Sequence, residues 1–224
     1  MYGSSCGGWD GVRSDRRCAQ KSGMRRPSQS GAKRVGLQKK GAPRRKVWIV
    51  HIDESGFSQK PSVRRTWSPR GVTPILKAPF NWKRLSAIGA LAVSPDRRRV
   101  RPFLSLRPGS VRGGNVVAFL RGLRRHLRGR VLLVWDRLPC HRSAYTARYL
   151  AAQAHWLEVE WLPAYAPELN PVEYLWNYLK GKDMTNFAPD DLPALTRQVR
   201  RKARRARHDT DLLWSFLKHS TLYS

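Results

Sequence analysis

The chain has 224 residues, which is long enough to bury a full-sized core, and one domain with terminal extensions is the natural expectation. Its 44 lysines and arginines against 15 acidic residues give a formal net charge of +29. So much positive charge repels itself unless it meets a polyanion, so nucleic acid is the first partner to consider. The sequence has no apolar run long enough to span a bilayer, no signal peptide and no CxxC pair among its three cysteines. A membrane partner, a disulfide framework and a structural zinc site are therefore not expected.

Residues 1–46 are predicted to form a disordered basic arm. This segment is rich in Gly, Ser, Lys and Arg, and its 13 basic residues against Asp10 and Asp15 give it a net charge of +11. Because it shows no apolar periodicity, it cannot bury enough apolar surface to offset the entropy cost of ordering.

Two runs of the sequence are apolar on both alternating faces, which is typical of strands covered on both sides of a sheet. They are residues 47–53 and 131–136, and each is predicted to end in an aspartate, Asp53 or Asp136. Residues 85–93, 100–107 and 157–161 are predicted to form further strands. The alternation of polar and apolar residues in the last two indicates edge positions.

Helical patterns separate the later strands and begin after Gly113, Ser143 and Asn170, while Asp190 or Asp191 is expected to cap a last pair of helices. The order is three strands, helix, strand, helix, strand, helix. It predicts an α/β protein with an RNase H-like fold, a mixed five-stranded sheet flanked by helices. We assign the catalytic domain to residues 47–188 and basic C-terminal helices to residues 189–224.

Three acidic residues, Asp53, Asp136 and Glu173, are candidates for a metal site. If the two buried strands are parallel neighbours, both aspartates emerge at the same sheet end, and Glu173 in a first helical turn could lean over it. Two Mg²⁺ ions about 3.5–4 Å apart can clamp both the attacking and the leaving oxygens of a phosphodiester. Each residue also has a structural alternative, since an aspartate could cap a turn and Glu173 could complete a capping box with Asn170. Taken together, three convergent carboxylates favour the metal site.

Three sequence blocks are specific enough to suggest a family. They are HIDESGF at 51–57 with RTWSPRGVTP at 65–74, VWDRLPCH at 134–141 and LPAYAPELNPVEYLW at 162–176. In this order they resemble the mariner-superfamily transposases of bacterial insertion sequences of the 630 type.

The resemblance implies an RNase H-like fold in which Asp53, Asp136 and Glu173 are the catalytic, metal-binding DDE triad. It also implies two Mg²⁺ or Mn²⁺ ions and cut-and-paste DNA transposition of an insertion sequence, with insertion at TA dinucleotides. The partners expected from it are the element ends, the target DNA and further copies of the chain, in the cytoplasm at the bacterial nucleoid.

Two features depart from the family pattern. Arg137 follows the second aspartate, where the family usually has a small or amide residue, and its guanidinium could compete with a metal ion or grip a phosphate. Residues 1–46 lack the helix-turn-helix modules that normally precede the catalytic domain, so we expect either an upstream helix-turn-helix polypeptide or a truncated chain. The alternative function is therefore a non-catalytic DNA-binding remnant of a transposase.

Further residues are predicted to surround the site or to contact DNA. His141 is expected to orient the site or to contact a phosphate, without ligating metal, and Glu54 is expected to be structural, on the strand face opposite Asp53. Trp67 and Trp82 could stack on splayed bases, although plain packing is the more common role. A crowded basic helix is predicted to contact phosphates, with a solvated face as the alternative. Its contacting residues are Arg197, Arg201, Lys202, Arg204 and Arg205.

Overall fold

The computed structural model describes residues 46–78, 83–138, 141, 143–163, 167–220 and 222–223. Apart from Lys46, the predicted basic arm of residues 1–46 lies outside the described residues, and so does Trp82.

Five strands form one mixed sheet, with the order β3-β2-β1-β4-β5. The strands are β1 (Trp48–Ser58), β2 (Arg84–Val93), β3 (Val100–Pro108), β4 (Val131–Trp135) and β5 (Leu157–Trp161). β1 and β3 each pair antiparallel with β2, whereas β4 runs parallel to both β1 and β5. The two strands that are apolar on both faces, β1 and β4, are therefore neighbours at the centre of the sheet, as predicted.

Helices cover both faces of this sheet. They are α1 (Gly113–His126), α2 (Ala144–Ala152), α3 (Val172–Lys180), α4 (Leu192–His208) and α5 (Thr210–His219). Alternate residues of β1 divide between two cores: Val50 and Ile52 belong to the core formed with α1 and α2, and Ile49 to the core formed with α3, α4 and α5. This arrangement confirms the predicted RNase H-like architecture.

Side-chain caps fix where two of these helices begin. Ser143 Oγ accepts a hydrogen bond from the Thr146 amide (3.2 Å), and Asp191 Oδ1 accepts one from the Ala194 amide (2.6 Å). A helix was predicted to begin after Ser143, as it does. Of the two candidates for the later cap, Asp190 and Asp191, it is Asp191 that caps the helix.

The prediction that the first strand ends at Asp53 is wrong. β1 continues to Ser58, because β2 goes on pairing with it: Asp53 is the partner of Gly89 and Ser58 is the partner of Arg84. The parallel pairing with β4 stops at His51, so beyond this point β1 keeps a neighbour on one side only. β4 ends at Trp135, one residue before its predicted end at Asp136.

Trp67 also departs from its prediction. Its side chain is fully exposed, so packing against the domain is not its role in this structure. Within the described residues, no helix combines the length and apolar character that crossing a bilayer requires.

Candidate active site

The register of β1 and β4 brings Asp53 and Asp136 to the same end of the sheet. His51 is the partner of Val134 in this parallel pair, and each aspartate lies two residues further along the chain. Asp53 is a buried residue, 7% exposed, whereas the side chain of Asp136 is 34% exposed because β4 has already ended. Asp53 therefore lies at the margin of the buried core, and Asp136 is partly open to solvent.

Asn170 ties the helix that carries Glu173 to the strand that carries Asp53. Its Nδ2 donates a hydrogen bond to the Ile52 carbonyl oxygen (3.0 Å), and its Oδ1 accepts one from the Val172 amide (3.2 Å) at the start of α3. Asn170 is itself buried, so both of its bonds are shielded from water. Glu173 lies in the first turn of this helix and is thereby held over the sheet end where Asp53 emerges.

Trp176, one turn after Glu173, contacts Asp53 directly. Its indole Nε1 donates a hydrogen bond to Asp53 Oδ2 over 2.7 Å. The indole reaches this position by passing over Gly89, the β2 partner of Asp53. A Cβ at Gly89 would lie 2.5 Å from Trp176 Cη2, so the absence of a side chain there creates the space for the ring.

The electrostatics of Asp53 are those of a crowded, desolvated carboxyl group. Burial, and after it the negative charge of Glu173, raise the pKa of Asp53 from its ordinary value to about 7. The hydrogen bond from Trp176 opposes this shift, and Glu54 and Asp136 add smaller repulsions. The charges of Glu173 and Asp136 therefore both act on Asp53, and a cation at this position would relieve the repulsion.

A second set of contacts links Asp136 to Glu54 through His141. His141 Nδ1 lies 2.6 Å from Asp136 Oδ1, and its Nε2 lies 2.8 Å from Glu54 Oε2. Ionised carboxylates can only accept, so both ring nitrogens act as donors and the ring is an imidazolium. Burial alone would lower the pKa of His141, but the hydrogen bonds to Asp136 and Glu54 outweigh it and raise the pKa to about 9.

The most compact group of potential metal ligands differs from the predicted triad. Among the described residues, the ligand atoms of Glu54, Asp136 and His141 all lie within 4.8 Å of one another. Asp53 and Glu173 interact electrostatically at the same sheet end, and Asp53 is bonded to Trp176, but neither carboxylate belongs to this group. The structure thus brings the three predicted carboxylates to one end of the sheet, without closing them into one tight cluster.

The predicted DNA contacts divide into exposed and buried residues. Exposed side chains, available to a phosphate, are those of Arg137, Arg197, Arg201, Arg204 and Arg205. Of these, Arg205 also lies 3.5 Å from Asp183 Oδ2 through Nη1. The side chains of Lys202 and His141, by contrast, are buried, which disfavours a phosphate contact for either of them. For His141 the contact with Asp136 favours the other predicted role, orientation of the site.

The buried Lys202 contacts residues at the end of α3 and just after it. Its ammonium lies 5.1 Å from the ring centre of Tyr178, 3.5 Å from the Gly181 carbonyl oxygen and 3.9 Å from Asp183 Oδ2. Burial lowers the pKa of Lys202, and the nearby Asp183 partly compensates. Its role is therefore to join α4 to the end of α3.

Sequence reasoning missed the functional contacts of three residues. Glu54 contacts more than its own strand, because its Oε2 lies 2.8 Å from Nε2 of the histidine that contacts Asp136. In the sequence Trp176 looks like any tryptophan on the apolar face of a helix, and nothing local indicates that its indole N–H bonds a carboxylate. Gly89 could have been found, since a glycine inside a strand pattern often marks the close approach of another group.

A sheet of this order, with helices on both faces and carboxylates converging at one end, defines an RNase H-like catalytic domain. The family model described as DDE superfamily endonuclease matches residues 48–195, and the chain belongs to this family.

Solved structures share the fold. The Mos1 strand transfer complex is 18% identical with a TM-score of 0.61, over 87% of this chain and 57% of that one. The Mos1 mariner paired end complex with Mn is also 18% identical with a TM-score of 0.61, over 98% and 64%. The catalytic domain of Mos1 mariner transposase is 16% identical with a TM-score of 0.54, over 88% and 92%. Our chain therefore covers about three fifths of the length of the transposase chain in each of the two Mos1 complexes. No curated protein matches the chain.

Proposed function

We propose that this chain is a DDE transposase that cleaves DNA strands and transfers them in a metal-dependent reaction. The observation that carries the proposal is the convergence of Asp53, Asp136 and Glu173 at one end of the sheet in a member of the DDE endonuclease family. We assign these three residues the catalytic and metal-binding roles, and we assign cut-and-paste transposition of an insertion sequence as the reaction.

The donor set suits Mg²⁺ or Mn²⁺, which prefer carboxylate oxygens. Burial and the charge of Glu173 raise the pKa of Asp53, so its ionised form is unfavourable without a cation. Glu54 Oε1 is buried and has no hydrogen-bond partner among the described residues, which is a further cost that a nearby cation would reduce. These observations support a divalent cation at the site. We propose two ions, one of which Asp53 and Asp136 would hold and the second of which Glu173 would reach.

Cations held by these carboxylates would lower the pKa of a bound water and stabilise the charge that develops at the phosphodiester. In the first step the water oxygen bonds to phosphorus, and the P–O3′ bond breaks to give a 5′-phosphate and a 3′-hydroxyl. In the second step this 3′-hydroxyl attacks a target phosphodiester, so one P–O bond replaces another and no covalent protein–DNA intermediate is needed. Asp53 is held within β1, Asp136 follows directly on the end of β4, and Glu173 is held by the first turn of α3.

The exposed arginines of α4 and Arg137 would bind the DNA backbone through charge-assisted hydrogen bonds. The Mos1 structures include a paired end complex and a strand transfer complex, and we propose that this chain likewise acts on DNA as a homo-oligomer. An upstream helix-turn-helix polypeptide would supply recognition of the element ends.

The alternative is a non-catalytic DNA-binding remnant, and the observation that favours it is Arg137. Its exposed guanidinium follows directly on Asp136, where it adds positive charge next to the proposed cation site.

Incubation of the full chain with supercoiled plasmid in Mg²⁺ or Mn²⁺ separates the two functions. We expect nicked and linear products with 3′-hydroxyl ends, which disappear in Asp53→Asn, Asp136→Asn and Glu173→Gln while DNA binding persists. DNA binding by the parent without any metal-dependent cleavage would favour the remnant.

A further inference from the structure

Asp136 lies at a point where the sheet no longer fixes the backbone. β4 ends at Trp135, so the ladder of parallel hydrogen bonds stops one residue before the carboxylate. Its side chain is 34% exposed, and within its own turn Oδ1 accepts a long bond, 3.3 Å, from the Leu138 amide. A carboxylate in this position needs further contacts if it is to keep a single orientation.

The contacts come from a chain of three side chains that begins on a rigid strand. Glu54 lies within β1, where its backbone pairs with Ile88 of β2. Glu54 Oε2 bonds His141 Nε2 over 2.8 Å, and His141 Nδ1 reaches Asp136 Oδ1 over 2.6 Å. The strand ladder that fixes Glu54 is thus connected to Asp136 across the imidazole ring.

The packing of His141 allows the ring little freedom. Its side chain is completely buried, and the ring centre lies 3.7 Å from that of Trp135 at an interplanar angle of 33°. A buried ring that packs on Trp135 and is bonded at both nitrogens cannot rotate without losing both of these contacts.

We propose that Glu54 is a positioning residue for the reaction, which acts through His141 to set the orientation of Asp136. This inference rests on the proposed function, because it assigns Glu54 and His141 to the support of a metal-binding carboxylate. The geometry gives His141 this linking role, because its Nε2 lies 2.8 Å from Glu54 Oε2 and its Nδ1 lies 2.6 Å from Asp136 Oδ1, so a carboxylate already occupies each ring nitrogen. Groups that orient metal ligands in this way typically contribute about 10–100-fold to metal affinity.

The proposal is tested by Mn²⁺ titration of the full chain, with the melting temperature as readout. The variants are Glu54→Ala, which removes the acceptor, Glu54→Gln, which keeps an acceptor oxygen, and His141→Phe, which keeps a ring against Trp135 but removes both nitrogens. Melting without metal reports on folding alone. If His141→Phe fails to fold, the comparison of Glu54→Ala with Glu54→Gln decides.

We expect Glu54→Ala and His141→Phe each to raise the Mn²⁺ concentration at half-maximal stabilisation by about 10–100-fold. The double variant should be no worse than either single variant, because the two residues act as one connection. Glu54→Gln should retain most of the affinity of the parent.

Three results would overturn the positioning role. They are an unchanged Mn²⁺ midpoint in Glu54→Ala despite a lower metal-free melting temperature, fully additive effects in the double variant, and equal losses in Glu54→Gln and Glu54→Ala. Asp136→Asn in the same titration keeps the two proposals apart. If it weakens Mn²⁺ binding while Glu54→Ala does not, only the positioning role fails, and if it has no effect the proposed metal site itself fails.

Discussion

Trp176 and Asp53 are joined by a 2.7 Å hydrogen bond that connects the helix carrying Glu173 to the central strand of the sheet. Trp176 lies three residues after Glu173 in α3, so the bond also fixes how this helix approaches the sheet end. Gly89 on β2 makes the approach possible, because any side chain there would overlap the indole. The spacing of two candidate metal ligands thus depends on a tryptophan and a glycine that carry no charge.

Gly89→Ala should therefore destabilise the protein and disturb the site. The new Cβ would lie 2.5 Å from Trp176 Cη2 and 2.7 Å from Cζ2, and the buried ring has to move. Overpacking of this kind costs about 1–3 kcal/mol, which urea denaturation would measure. Gly56→Ala is the matched control, because Gly56 also lies in a strand but a Cβ added there would have nothing within 4 Å. Equal losses in both variants would mean that the space above Gly89 is not limiting.

The pKa of Asp53 predicts how metal-free stability depends on pH. Its folded pKa of about 7 lies above the ordinary value of 3.8, so between these values the folded state retains a proton that the unfolded chain has lost. The free energy of unfolding should consequently fall as pH rises through this window. Asp53→Asn cannot ionise and should gain stability relative to the parent, on the order of 2 kcal/mol between about pH 4.5 and 6.5.

The measurement is urea denaturation of the parent and Asp53→Asn in a metal chelator at several pH values. The pH window of about 4.5 to 6.5 lies below the pH range in which His141 loses its proton, so His141 does not affect this comparison. The raised pKa of His141 gives stability that is fully present below about 6.5 and is lost towards pH 9. A stability difference between the two proteins that stays constant from about pH 4.5 to 6.5 would contradict the raised pKa of Asp53.

DNA binding should depend steeply on salt and on the exposed face of α4. With a net charge of +29, about six phosphate contacts would lower the affinity on the order of a thousandfold between 50 and 200 mM salt. Replacing Arg201 and Arg204 by Gln should reduce the slope of log affinity against log salt by about two. Fluorescence anisotropy with a random duplex measures this slope.

Lys202→Met provides the control for that experiment. Lys202 carries the same charge on the same helix but is buried against Tyr178, so its replacement should leave the salt slope unchanged. A slope reduced as much by Lys202→Met as by one of the arginine variants would mean that general charge, and not the exposed face of α4, binds the backbone.

The central strands and the helix order could be predicted because burial on both faces leaves a continuous apolar run, as in β4. The end of β1 could not be predicted, because Glu54 and Ser55 are polar and only their pairing with β2 keeps them in the strand. The burial of Lys202 was visible in principle: it lies at helical spacing with Leu195, Val199 and Ala206, all of which are buried. The bond between Glu54 and His141 joins residues 87 positions apart, and no local pattern predicts such a contact.

The central claim is that Asp136 belongs to a divalent metal site, and the most direct test is the Mn²⁺-induced shift in melting temperature of the parent and of Asp136→Asn. Asn keeps the shape of the side chain and an acceptor oxygen for His141, but it lacks the charge that binds a cation. Binding to the folded state produces the shift, so it should be present in the parent, shrink strongly in Asp136→Asn and persist in Glu158→Gln, a control on β5. An unaltered shift in Asp136→Asn would remove Asp136 from the metal site and contradict the account.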